Sequence, residues 1–155
     1  KLLSHEFLFQ PTHKRSSEGF AAFVDGHRNP ALVAFHKEFH SEAGFPREKI
    51  AAGVARTDQD FKALDAALAD RDWLAGERLS LADVAWMPNI HRLALMDWPV
   101  SRYPNLQQWK ARVEALPCYQ QGLVDWEPSG LLDAFAAYVA RRKEEGTDVA
   151  SFLPD

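Results

Sequence analysis

Residues 73–89 read WLAGERLSLADVAWMPN, and this stretch decides the fold. Ser80 stands where a helix N-cap belongs. Asp83, three residues on, is spaced to return a hydrogen bond to the Ser80 backbone N–H, as in a capping box. Leu79 before the cap and Val84 at the fourth helical position have the spacing of a hydrophobic staple. From Leu81 to Met96 the chain is apolar on almost every side, and Asn89, His91 and Arg92 are the clearly polar residues of the second half. A helix covered by neighbours has that pattern, so a central, buried helix is expected here. Gly76 frees the backbone for a left-handed turn, and Trp73 and Leu74 are placed to anchor the end of the preceding helix in the core.

Upstream, Pro46 opens the longest predicted helix, with Ile50, Val54, Phe61, Leu64 and Leu68 on one face and an end near Arg71. Asn29-Pro30 is an N-cap followed by proline at the first helical position, ahead of a stripe of Leu32, Phe35, His36 and Phe39 that Gly44 stops. Ser16 or Ser17 caps a short helix carrying Phe20, Phe23, Val24 and His27. Leu3 and Phe7 make the first residues helical, and Gln10 should end that helix because the residue before a proline is pushed out of the α region. No cap or initiating methionine precedes it, so Lys1 is expected to lie inside a longer element whose beginning is missing.

Downstream, Pro88 should kink the central helix. A further helix begins near Pro104 and Asn105, with Leu106, Trp109, Val113 and Leu116 inward and Pro117 limiting its extent. Ser129 is the expected N-cap of a last helix bearing Leu132, Phe135 and Val139, which Gly146 ends. No segment alternates with a period of two and no repeat is present, so the expectation is all-α: an antiparallel helical bundle around a buried central helix. The domain is expected to span residues 1–146, with 147–155 as a mobile or loosely docked tail.

A chain of 155 residues, 46% hydrophobic and 26% charged, suits one soluble globular domain. The net charge of −4, with both signs interspersed, argues against nucleic acid as a partner. No apolar run approaches membrane-spanning length and no signal peptide opens the chain. Cys118 as a lone cysteine rules out an internal disulfide framework and fits a cytoplasmic location.

The run Trp73 to Val84, followed by Tyr103-Pro-Asn-Leu-Gln-Gln-Trp109 and Leu116-Pro117, resembles the C-terminal helical domain of cytosolic glutathione S-transferases. Ala43-Gly-Phe-Pro46 leading into a long helix and then Asp72-Trp73-Leu74 is similar to the bacterial branch that includes lignin β-aryl-etherases. The resemblance implies a substrate-binding domain of an enzyme that uses glutathione as cosubstrate against apolar electrophiles, by conjugation, ether cleavage or dehalogenation. It also implies a separate thioredoxin-like domain that binds glutathione and stabilises its thiolate, and a homodimer for the full-length protein. Nothing in this chain resembles that thioredoxin-like domain, so the chain alone should be catalytically silent. In the family one wall of the hydrophobic substrate site comes from the first helix, the middle of the central helix and the C-terminal segment. Phe7, Trp86, Asn89 and Trp126 are the residues expected there, in an aromatic constellation that includes Trp98 and His91. Helical domains of this type also occur as assembly platforms, which makes a non-enzymatic interaction module the alternative. A cleft at Asn89 would favour the enzyme and a flat apolar patch the module.

Other constellations point to packing. His36-Lys-Glu-Phe-His40 has metal-ligand spacing, but Lys37 stands where the zinc-protease motif needs glutamate and no third ligand is evident, so no metal is expected. Cys118 has no basic activator beside it. No G-x-S-x-G elbow, phosphate loop or G-x-G-x-x-G is present, so no catalytic residue is assigned to this chain.

Overall fold

The computed structural model describes residues 1–128 and 130–154, and all regular structure among them is helical. The first helix, α1, runs without a break through Leu2–Ser4, His5–Phe9 and Gln10–His13, the middle stretch in the wider π-helical winding. It therefore continues through Pro11 instead of stopping at Gln10. A proline removes one N–H and crowds the carbonyl four residues back. The π winding shifts the hydrogen bonds of the preceding turn, and Pro11 falls in the first turn of the resumed α-helix, where its missing N–H is not needed. The Glu6 carbonyl, inside the π stretch, accepts from the Tyr138 hydroxyl at 2.9 Å.

Helix α2, Ser17–Gly26, starts where the Ser16 hydroxyl accepts from the Gly19 N–H at 3.1 Å. Helix α3, Pro30–His40, starts where Asn29 Oδ1 accepts from the Leu32 N–H at 3.1 Å. Both caps stand where the sequence places them. The long α4, Arg47–Ala67, buries Ile50, Val54 and Phe61, and on the same stripe it buries Asp58 at 1% exposure. Asp58 accepts from the Tyr103 hydroxyl at 2.6 Å and pairs with Lys62 at 2.7 Å. Two turns further on, Asp65 accepts from the Leu106 N–H at 2.9 Å and so caps α6, Pro104–Glu114, from across the fold. The Asn105 amide takes the Asp65 carbonyl, and α4 ends at Ala67, short of the expected Arg71.

Helix α5, Leu81–Leu95, is the central element and runs unbroken through Pro88. Met87, Ile90 and Leu93 are buried on its inner face, against α6 and α8. Its outer face is open: Leu81 is 85% and Val84 48% exposed, so Leu79 and Val84 do not shield the turn as a staple would. The capping box closes, and Asp83 does more than cap. Its carboxylate has no exposed surface. Oδ2 accepts from the Ser80 N–H at 2.9 Å and the Ser80 hydroxyl at 2.7 Å, while Oδ1 accepts from the Leu74 N–H at 2.9 Å and the Trp109 indole N–H at 2.8 Å. Burial alone would push this carboxyl up, but those donors outweigh it and hold it below the usual carboxylate range.

After the short α7, Pro117–Gly122, the chain passes through Val124–Trp126 to α8, Leu131–Glu144. The expected cap at Ser129 lies outside the described residues. The buried positions of α8 are Phe135 and Tyr138, and Leu132 is 38% exposed, so the inner face is rotated from the expected Leu132, Phe135 and Val139 stripe. Gly146, at φ +63°, closes α8 as expected, with the Thr147 N–H on the Arg142 carbonyl and the Gly146 N–H on the Lys143 carbonyl. The segment that follows is packed rather than loose. Val149 is 1% exposed, Phe152 meets the Phe7 ring at 5.8 Å, and Arg102 donates to the Pro154 carbonyl. Arg142 explains the docking, since its guanidinium pairs with the buried Glu6 at 2.6 Å and donates to the Thr147 carbonyl at 2.8 Å. No helix among the described residues is long and apolar enough to cross a membrane.

Asp83→Asn would place an amide donor among groups that all donate. It is expected to cost about 3 kcal/mol of stability in urea melts, the scale of hydrogen bonds lost from a buried charged group. A loss below about 0.5 kcal/mol, the ordinary effect of a surface substitution, would contradict this role. Because the folded value of Asp83 lies below its unfolded value of 3.8, its contribution is full above that pH and is lost as the pH falls through the folded value. The variant should therefore lose less stability than the parent over that acid range.

Candidate functional site

A cleft of about 340 Å³ lies where the start of α1, the middle of α4 and the second half of α5 meet. Gly53 permits the close approach of α1 to α4, since a Cβ there would stand 3.1 Å from Leu2 Cδ2. Leu2, Leu93 and Met96 supply apolar wall, and Trp86, Asn89 and Arg92 line it from successive turns of α5. A second cleft of about 250 Å³ opens between α1, α5 and α8, with Leu8, Phe9, Leu95 and Phe135 as apolar walls and His91, Arg92 and Glu127 as polar ones. Arg92 lines both.

The residues expected to form the substrate wall divide accordingly. Trp86 and Asn89 share the larger cleft. The Asn89 side chain is exposed and donates to the Ala85 carbonyl of its own helix at 3.0 Å. Phe7 is a core residue at 2% exposure, packed on Phe152 with the Arg142 guanidinium over its ring. Trp126 is 80% exposed and donates to the Gln121 carbonyl at 3.0 Å, and it lines neither cleft. Trp98, at 3% exposure, is also core. Arg92 was not singled out by the sequence reading. Its signal was there, because it follows Trp86 and Asn89 at steps of three residues and is the only arginine or lysine between Leu81 and Leu95.

His91 is held at both ring nitrogens. Nε2 meets Glu127 at 2.6 Å and Nδ1 meets the Tyr119 hydroxyl at 2.5 Å. When Nε2–H donates to the carboxylate, the neutral ring accepts from Tyr119 at Nδ1. Burial, then the charges of Glu114 and Glu127, push the Tyr119 phenol up to about 12, so it stays a donor at neutral pH. Tyr119 is itself buried, and the chain of three clamps the segment after α6 onto α5 rather than presenting a reactive group.

The paired histidines on α3 are also packing groups. His40 Nε2 accepts from the Arg15 N–H at 3.0 Å, its Nδ1 meets the His36 carbonyl at 2.8 Å, and its ring stacks on Phe20 at 4.3 Å. His36 contacts the rings of His5, Phe23 and Phe35, and its Nδ1 is buried without a partner among the described residues. Cys118 is exposed on α7.

The fold is an all-helical bundle with an acid-locked central helix, and a cleft with mixed apolar and cationic walls lies on that helix. Comparison with known proteins shows what its central region is similar to. Residues 47–112, which carry α4, α5 and most of α6, match the family model for the C-terminal domain of glutathione S-transferase. A probable maleylacetoacetate isomerase of Vibrio cholerae is 37% identical over 73 residues, covering 46% of this chain and 34% of the relative. A glutathione S-transferase-like protein, tpcF, of Aspergillus fumigatus is 36% identical over 69 residues, covering 41% of this chain and 31% of the relative. The chain thus spans about a third of the length of these curated relatives. No solved structure matches it.

Burial, then the charges of Lys1, His5, Arg15 and His40, push His36 down from 6.5 to about 4. Between those values the unfolded chain binds a proton that the folded chain does not, so stability should fall as the pH drops through this range and level off below it. His36→Leu is expected to flatten that slope in urea melts at stepped pH. An unchanged slope would show that His36 does not carry it.

Proposed function

We propose that this chain is the substrate-binding domain of a glutathione-dependent transferase that acts on apolar electrophiles, with glutathione held mainly by a separate thioredoxin-like domain. The observation that carries the reading is the cleft in which Trp86 and Asn89 meet the start of α1. Such a site contributes orientation and exclusion of water, and the lowering of the thiol pKa belongs to the partner domain. Conjugation, ether cleavage and halide removal all require that geometry. The name of the relative tpcF, a glutathione S-transferase-like protein, supports glutathione chemistry in the whole protein, which on this reading is a cytoplasmic homodimer. The exposed Leu81 and Val84 on the outer face of α5 favour the second reading, a module that docks another protein through that face.

Two measurements on the chain separate these readings. With glutathione and 1-chloro-2,4-dinitrobenzene it should show only the uncatalysed rate, and turnover would contradict the division of labour. Methyl 1-naphthoate, an uncharged aromatic probe, should shift the NMR resonances of Trp86 and Leu93, and Trp86→Ala should weaken that binding about tenfold, the loss expected for an aromatic contact worth about 1.4 kcal/mol. Saturating probe without any shift at this cleft would favour the docking module.

A further inference from the structure

The larger cleft carries a charge that the proposed function does not use. Arg92 is half-buried, and it has neither a hydrogen-bond nor an ion-pair partner within the described residues. A guanidinium cannot shed its charge at neutral pH, and one held away from bulk water favours an anion at hydrogen-bond distance. Two other charged side chains line this cleft, and the Lys1 terminal ammonium stands near enough to Arg92 to be disfavoured by its charge. Lys1 Nζ lies over the Phe35 ring at 4.3 Å, and Asp60 faces Arg56 at 3.9 Å. On the second cleft, the carboxylate of Glu127 is engaged by His91 at 2.6 Å. Trp86 stands two turns of α5 before Arg92, with Leu2, Leu93 and Met96 completing the apolar wall.

We infer that Arg92 is an anion-recognition residue and that the cleft takes an apolar compound bearing a carboxylate, its hydrocarbon part against Trp86 and its carboxylate on the guanidinium. The inference rests on the proposed substrate-binding role of this cleft and narrows the substrate class within it. The planar fork of the guanidinium matches the two carboxylate oxygens, which a lysine ammonium does not. Glutathione carries carboxylates of its own, so the same chemistry has two sources, and a competition arm tells them apart.

The test uses the 155-residue chain with two probes of nearly equal shape, 1-naphthoate and its methyl ester, titrated by NMR at neutral pH and low salt. Naphthoate is expected to bind about tenfold more tightly than the ester, the scale of one charge-assisted contact in a partly screened site. In Arg92→Gln that preference should vanish while ester binding stays, and in Arg92→Lys it should return only in part. Raising the salt concentration should weaken naphthoate and leave the ester unchanged. Millimolar glutathione should not displace naphthoate.

Equal binding of the two probes, or a preference that survives in Arg92→Gln, would overturn the role of Arg92 and leave the substrate-binding reading standing. Displacement by glutathione at that concentration would overturn the assignment of the anion to the apolar compound. If neither probe binds at Trp86, the substrate-binding reading and the inference fall together. Unchanged dispersion of the Arg92→Gln amide spectrum, measured in the same titration, separates a lost contact from a lost fold.

Discussion

A single carboxylate, wholly removed from water, joins three parts of this molecule. Asp83 receives the backbone and side chain of Ser80, the backbone of Leu74 and the indole of Trp109. The first pair starts α5, the second ties down the long connection from α4, and the third fastens α6 to the same point. An ionised carboxylate costs a great deal to bury, and it is tolerated here because each oxygen accepts two donors. The arrangement specifies register as well as stability. An apolar residue at position 83 would fill the volume, yet it would leave the Leu74 and Ser80 N–H groups and the Trp109 indole without their buried acceptor.

Helix α4 repeats the device with Asp58 and Asp65, one holding the Tyr103 hydroxyl and the other the Leu106 N–H. Together the three aspartates hold α6 from two sides. This rigid set positions the second half of α5, on which Trp86, Asn89 and Arg92 share a cleft with the start of α1. The shape of this cleft therefore depends on groups remote from it. The outer face of α5 is the part that this scaffold leaves open.

Local chemistry was legible in the sequence where its partners are near neighbours. Ser16, Asn29, Ser80 and Gly146 each announce a helix end within a few residues, and each stands at one. Long-range partners left no such mark. The capping box announces the Ser80 contacts of Asp83 but not Trp109, and nothing local links Glu6 to Arg142. Within the π winding of α1, Glu6 meets Tyr138 and Arg142, partners from far along the chain. The four residues expected at a substrate wall did not all come together. Trp86 and Asn89 fell together because helical spacing places them on one face, whereas Phe7 and Trp126 were chosen by chain position and residue type, and burial sends one to the core and the other to the surface.

The central claim is that Asp83 locks α5, α6 and the connection before them into one cooperative unit. Native-state hydrogen exchange tests it at named atoms, since the Leu74 and Ser80 amides both donate to this buried carboxylate. Both lie outside the helices, where exposed connections ordinarily exchange through local opening at little free-energy cost. On this account the two amides exchange only with the free energy of global unfolding, in step with the inner-face amides of α5. Exchange of either amide by cheap local opening, while α5 stays protected, would contradict it.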